Sequence, residues 1–370
     1  MIKFLMAASA VALSAGAATA GGFERSGLPI GFMFEKGNYA ELSYGYVNPK
    51  VSGTAIPAAG GSTSGDVALS YSTVGLAFKT DLSDKLSLGL SLDPTFGADV
   101  DYPTTTAYPI RGSRATLRGD TIALIARYKF SDQFSVHGGL RSVSIGGDLS
   151  LSTTTITGAP LNFYRASFGN KRDTGFLLGA AFEKPEIALR VALTYQSETK
   201  HTMPVSGTVF APPGVFVPFT DTTTVKLPQS LTLDFQSGVA ADTLVFGSIK
   251  WADWTTTVLN APNAGAANPL VSYANDSVTY NIGIGRKFSD SFSGAISFGY
   301  EAHKGGIVGN LGPTDGVRSV QIGGTYTRDN MKISAGVRYI DIGDATALGG
   351  ASNFAGNSAV AVGMKVGFTF

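Results

Sequence analysis

Residues 358–370 read Ser-Ala-Val-Ala-Val-Gly-Met-Lys-Val-Gly-Phe-Thr-Phe. Val360, Val362, Met364, Val366, Phe368 and Phe370 are apolar on one parity, while Ala359, Ala361, Gly363, Lys365, Gly367 and Thr369 are small or polar on the other. Successive side chains of a strand point to opposite faces, so this period of two predicts a strand with two unlike surroundings. A strand about ten residues long with an apolar face and a small or polar face suits a membrane barrel, where one face meets lipid and the other a lumen. Residues 231–239 repeat the pattern, with Leu231, Leu233, Phe235 and Val239 against Thr232, Asp234, Gln236 and Gly238. Residues 280–288 do so again, with Tyr280, Ile282, Ile284 and Phe288 against Asn281, Gly283, Gly285 and Lys287.

Between such segments the connections alternate in length. Short polar turns fall at 81–84, 130–133, 183–186, 239–242, 288–291 and 327–330. Longer connections rich in Gly, Pro, Thr and Asn centre near 58, 106, 162, 212, 265, 309 and 350. Six short turns and seven long loops join fourteen strands. An even strand number with short periplasmic turns and long outer loops is the expected bacterial arrangement. The sheet must close on itself, because an unpaired backbone edge in hydrocarbon costs several kcal/mol per group. The expected fold is therefore all-β, a 14-stranded antiparallel transmembrane β-barrel over residues 38–370 with a short N-terminal plug segment at 21–37. A soluble β-sandwich would also alternate, but would not combine long strands with so little charge.

Residues 1–20 fit a secretory signal peptide: Lys3, an apolar run from Phe4 to Ala18, then the small-x-small site Ala18-Thr19-Ala20. That run is too short to span a bilayer as a helix. Removing Lys3 from 28 Lys and Arg leaves 27 against 27 Asp and Glu, so the remaining chain is neutral. Neutrality argues against nucleic acid as a partner. Charged residues make up 15% of the chain, below the ~25% of an ordinary soluble domain. Cys is absent, which removes disulfides and thiolate metal sites. The three His, at 137, 201 and 303, lie in no His-Glu-x-x-His helix, and no Gly-x-Ser-x-Gly elbow appears. No enzyme, metal or cofactor is expected.

Several segments resemble the FadL family of long-chain fatty-acid and hydrocarbon channels of the outer membrane. They are Gly21-Gly22-Phe23, the stretch Phe96 to Tyr102, Lys171 to Phe176, Leu193 to Ser197, Lys226 to Leu231, and Trp251-Ala252-Asp253-Trp254. The resemblance implies a barrel blocked by an N-terminal plug. It implies capture of ligand in an apolar groove between two outer loops, a lumen site, and sideways exit where the third strand is kinked. It also implies a monomer in contact with outer-membrane lipid and lipopolysaccharide. The plug here is shorter than the family's, and no Asn-Pro-Ala motif precedes Asn38.

The candidate site residues follow. The stretch Met203 to Phe219 is apolar where an outer loop should be polar, so Phe210, Phe216 and Phe219 face either a ligand or another loop. Leu161, Phe163 and Phe168 supply a second apolar wall. Phe23 matches the family's plug aromatic that reaches the ligand. Parity places Arg141, Lys250 and Arg338 in the lumen near mid-height. They either hold a carboxylate or join a structural charge network with groups such as Asp234 and Glu301. Pro94, Phe96 and Gly97 sit inside the third strand, where Pro removes a ladder donor and Gly weakens pairing, so the wall should open or bulge there. These residues point to diffusion of hydrophobic small molecules, fatty acids foremost. A general porin for polar solutes is the alternative.

Overall fold

The computed structural model describes residues 22–154, 160–211, 214–265 and 269–370. The expected signal segment, Gly21, and Pro212 and Pro213 of the apolar stretch lie outside the described residues. Fourteen antiparallel strands form one closed sheet. They are β1 (Tyr39–Lys50), β2 (Tyr71–Asp81), β3 (Leu86–Asp101), β4 (Arg114–Lys129), β5 (Phe134–Thr154), β6 (Pro160–Lys184), β7 (Leu189–Gln196 and Thr199–Ala211), β8 (Val215–Leu227 and Ser230–Ala240), β9 (Thr243–Ala252), β10 (Ser277–Lys287), β11 (Phe292–Glu301), β12 (Val317–Arg328), β13 (Met331–Ile342) and β14 (Asn357–Thr369). The ends meet where β1 pairs with β14 from Tyr39↔Thr369 to Lys50↔Ser358.

The parity read from residues 358–370 holds. Val360, Val362, Met364 and Phe368 are exposed on the outer face, while Ala359 and Ala361 are buried inside. Leu124, Ile282, Phe298 and Ile322 continue the same exposed belt around the barrel. The short turns also fall where the spacing placed them.

The apolar stretch 203–219 differs from the expected outer loop. It is a regular hairpin, paired from Ala211↔Val215 to Thr199↔Leu227. Alternation continues through its first half, with Met203 and Val205 buried between exposed Thr202, Pro204 and Ser206, so strand packing accounts for those two, while Val215, Phe216 and Val217 stay exposed. The β7–β8 hairpin is bent rather than continuous, because each strand is interrupted, at 197–198 and 228–229. Pro228 has no N–H to continue a ladder. At the β7 break the freed backbone groups find side chains or nearby backbone. Ser197 Oγ accepts from Phe176 N, Asp173 accepts from Lys200 N, and Ser197 O accepts from Arg141.

The N-terminal residues 22–38 run inside the ring of strands. Their contacts reach most of the circumference: Lys79 of β2 donates to Glu35 O and Gly37 O, Arg127 of β4 to Met33 O, and Gln196 of β7 to Gly27 O. Lys250 of β9 pairs with Glu24, and Lys332 of β13 with Glu35. Leu28, Ile30, Phe32 and Met33 pack on Ala123, Ile125 and Leu177 from the inward faces of β4 and β6.

Two substitutions separate the faces. Leu124→Arg, in the middle of the outward face, should lower barrel stability by ~2–4 kcal/mol. Ser297→Arg, which faces the lumen from β11, should lower it much less. Urea unfolding in lipid vesicles reads both, and equal losses would contradict the assigned faces.

Candidate ligand cavity and the break in the wall

The bulge in β3 sets the geometry of the site. Going up β3, pairing with β2 ends at Leu76↔Leu92. Pairing with β4 slips between Asp93↔Thr121 and Phe96↔Gly119. β3 regains a neighbour on the β2 side only higher up, where Leu69 N donates to Asp99 O and Asp101 N to Val67 O. Residues 71–75 and 93–97 therefore face each other without a ladder, and this unpaired stretch between β2 and β3 is termed the window. The neighbouring strands bend at the same height, since the β4–β5 register skips from Arg118↔Gly146 to Thr121↔Val143 and β5–β6 slips between Ile145 and Gly147. Pro94 is half-buried in the bulge, and Phe96 and Gly97 are buried.

The N-terminal segment meets the backbone groups that the bulge releases. Phe23 O accepts from Gly97 N at 2.8 Å, and Thr95 O accepts from Arg25 N at 2.7 Å and Ser26 N at 3.3 Å. Glu24 and Phe96 form a single antiparallel bridge. Buried polar groups must be paired, and this short piece of chain supplies the pairing that β2 does not. The Arg25 guanidinium packs into the space beside Gly97, where a Cβ would lie 2.5 Å from its central carbon, so a larger residue there would push that side chain away.

Directly beside the window lies an apolar cavity of about 180 Å³. Gly22 and Phe23 close it on the N-terminal side. Ala115 and Leu117 of β4, Ile145 and Leu149 of β5, Phe168 of β6, Met203 of β7 and Val225 of β8 form its walls. Outer-loop residues Leu259, Leu270, Tyr273 and Leu311 cover it. Phe23 stands edge-on to Phe96 (centroids 5.9 Å apart) and to Trp254 (5.3 Å), and Trp254 in turn packs on Tyr273 at 5.0 Å. Gly22 has φ 78°, and a Cβ there would enter the Trp254 ring, so backbone and side chain are fitted closely at this corner.

The expected site residues divide into groups. Phe23, Phe96, Gly97 and Phe168 converge on the cavity or its edge. Phe163 and Phe219 pack against the same apolar cluster, with Phe219 stacked on Tyr164 at 5.6 Å. Leu161 is half-buried near the top of β6. Phe210 and Phe216 pair with each other at 5.4 Å near the tip of the β7–β8 hairpin, where Phe216 is exposed, and neither lines the cavity. The three bases lie elsewhere. Arg141 is buried and donates to Gln196 Oε1 and Ser197 O. Lys250 pairs with Glu24 and stands across the ladder from Thr232. Arg338 donates to Ser319 Oγ at 2.8 Å. Among the described residues no Lys, Arg or His lines the cavity, and Asp148, exposed, is its one charged neighbour. Val225, Ile145, Leu149 and Tyr273 line the cavity without having been singled out in the sequence, and Met203 lines it from the apolar stretch noted there. Alternation along a strand does not say which inward side chains share a cavity.

The chain matches the family described as "Outer membrane protein transport protein (OMPP1/FadL/TodX)" over residues 9–257. No curated protein sequence matches it. Among solved structures, it is similar to a Pseudomonas aeruginosa FadL homologue at 12% identity, with a TM-score of 0.72 and 92% of each chain covered. It is similar to the Pseudomonas putida toluene transporter TodX at 14% identity, with a TM-score of 0.69 over 97% of this chain and 98% of that one. It is also similar to the Ralstonia pickettii toluene transporter TbuX, at 14% identity and a TM-score of 0.65, with 96% and 97% covered.

Filling the cavity tests whether it holds ligand. Ala115→Trp should weaken binding of an uncharged aromatic probe at least tenfold, ~1.4 kcal/mol. The heat-modifiable migration of the folded barrel should be kept. An unchanged Kd would place the probe elsewhere in the protein.

Proposed function

Given that this chain belongs to the OMPP1/FadL/TodX family of outer membrane transport proteins, we propose that it carries uncharged hydrophobic compounds of about the size of one aromatic ring across the outer membrane. The cavity carries this reading. It is walled by apolar side chains with no cation among its described lining residues, whereas a buried carboxylate needs a charged or strongly donating partner. Its size also fits, since a dry apolar cavity of ~150 Å³ accepts benzene. Arg141, Lys250 and Arg338, the groups that could have held a fatty-acid head, are engaged with protein partners away from the cavity.

The route runs from the outer loops into the cavity and out through the window between β2 and β3. A hydrophobic solute gains nothing by entering the aqueous periplasm, while sideways passage keeps its apolar surface out of water. The window opens at the cavity's edge, beside Phe96 and Gly97, which supports that direction. Phe210 and Phe216 at the hairpin tip are suited to first contact with a solute arriving from outside, and the hairpin leads down to Met203 and Val225. The residues from Gly22 to Asn38 act as the plug: they fill the lumen below the cavity and deny a straight axial path. A general porin would need that path open.

Proteoliposomes loaded with the protein discriminate these readings. Uptake of toluene should exceed that of empty vesicles and should be competed by other neutral aromatics. Palmitate should compete poorly, and glucose should not enter. Strong competition by palmitate would transfer the reading to fatty acids, and rapid glucose entry with a large steady conductance would establish a porin.

A further inference from the structure

We infer that Arg25 is the latch of the window between β2 and β3, held shut by an ion pair with Asp99 and by the face of Tyr71. This rests on the lateral route proposed above. The guanidinium of Arg25 reaches Asp99 Oδ2 at 2.5 Å and lies 3.9 Å from the centroid of the Tyr71 ring. Tyr71 is the first residue of β2, and Asp99 stands on β3 just above the bulge, so one side chain ties together the two strands that fail to pair. The space it occupies is that left by the missing Cβ of Gly97. Arg25 and Asp99 are both nearly buried, with side-chain exposures of 8% and 6%. An ion pair so sheltered is screened little by salt, and a guanidinium sandwiched between a carboxylate and an aromatic face is held in one orientation.

The same arrangement links the latch to the cavity. Phe23, two residues before Arg25, forms part of the cavity surface, and the bonds from Phe23 O, Arg25 N and Ser26 N to β3 are the only ladder-like contacts described across the window. A ligand that displaces Phe23 must pull on those bonds and on Arg25. Asp99 is also prepared for release. Its second oxygen, Oδ1, accepts from Arg118, an exposed residue of β4, at 2.6 Å. When Arg25 withdraws, the carboxylate keeps one guanidinium and is not left as an unpaired buried charge, the outcome that makes breaking most buried pairs so unfavourable. The pair can therefore open without unfolding the wall around it.

The chain has no Cys, so a single introduced thiol reports the window directly. Ser26→Cys places one beneath the latch, at a position that is buried when the segment is docked. In vesicles, Arg25→Gln and Asp99→Asn, each added to Ser26→Cys, should raise the rate of maleimide labelling of that thiol about fivefold or more, the low end of typical coupling between linked sites. Because Asp99 acts on the segment through Arg25, adding Asp99→Asn to Arg25→Gln should give labelling no faster than Arg25→Gln alone. Arg172→Gln, which removes an exposed ion pair to Asp120 on the outer face, should leave the labelling rate unchanged. Toluene uptake measured in the same vesicles should rise with either latch substitution. A second arm guards against misfolding. Glu24 and Phe96 face each other as an antiparallel pair, close enough for a disulfide. Glu24→Cys with Phe96→Cys should take up far less toluene oxidised than the same preparation does after reduction. Unchanged labelling with Arg25→Gln, additive effects when the two latch substitutions are combined, or full uptake with the crosslink confirmed would each overturn the latch. Failure of the unaltered protein to take up toluene above empty vesicles would instead overturn the transport reading, with the labelling rates still deciding the latch.

Discussion

Everything in this barrel answers to one constraint: inside hydrocarbon, each backbone N–H and C=O must find a partner within the protein. Ladders between successive strands and the β1–β14 seam satisfy it around most of the wall. At 93–97 the constraint is met differently. Pro94 removes a donor, the β3–β4 register slips, and β2 falls out of reach. The missing partners come from residues 23–26, a segment that covalently precedes the barrel. A defect in the wall and a strand-like stretch of N-terminal chain are thus two halves of one hydrogen-bonding solution. Such a solution is reversible, because a peptide segment can undock where a neighbouring strand cannot.

The distribution of charge follows from the same constraint. Polar lumen side chains meet the N-terminal segment along its length, Glu24 with Lys250 and Glu35 with Lys332, beside the wall's own pair of Arg127 with Glu183. Above these pairs the inward faces of β4 to β8 turn apolar and enclose the cavity. Phe23 marks the boundary between the two regions, with polar neighbours after it and aromatic neighbours around it. A solute that prefers the upper region has no favourable way down through the lower one. In the route proposed above, the window is the exit that avoids it.

Much of the architecture is legible in the sequence because lipid imposes a period of two on each strand, and that period survives even where individual residues vary. Strand number, parity at residues 358–370 and the break at Pro94 to Gly97 follow from such local rules. The stretch 203–219 is a strand hairpin rather than an irregular loop for a related reason. Its apolar run suggests an irregular outer loop, yet the alternation of Met203 and Val205 with Thr202 and Pro204 marks a strand. The cavity itself is beyond the reach of such rules. Gly22, Phe168, Met203 and Leu270 are scattered along the chain, and alternation does not say which inward side chains meet at one height of a tilted barrel. Arg141, Lys250 and Arg338 illustrate the limit most sharply: parity puts them inside, but only the three-dimensional pairing with Gln196, Glu24 and Ser319 shows that they are committed elsewhere.

The central claim is that the apolar cavity above Phe23, and not the polar lumen beneath it, receives the transported compound. Crystals soaked with bromobenzene test it most directly, since bromine scatters anomalously. The account predicts an anomalous peak enclosed by Phe23, Phe168 and Met203. A peak confined to the lumen near Lys250 and Asp234, with that cavity empty at saturating ligand, would contradict it.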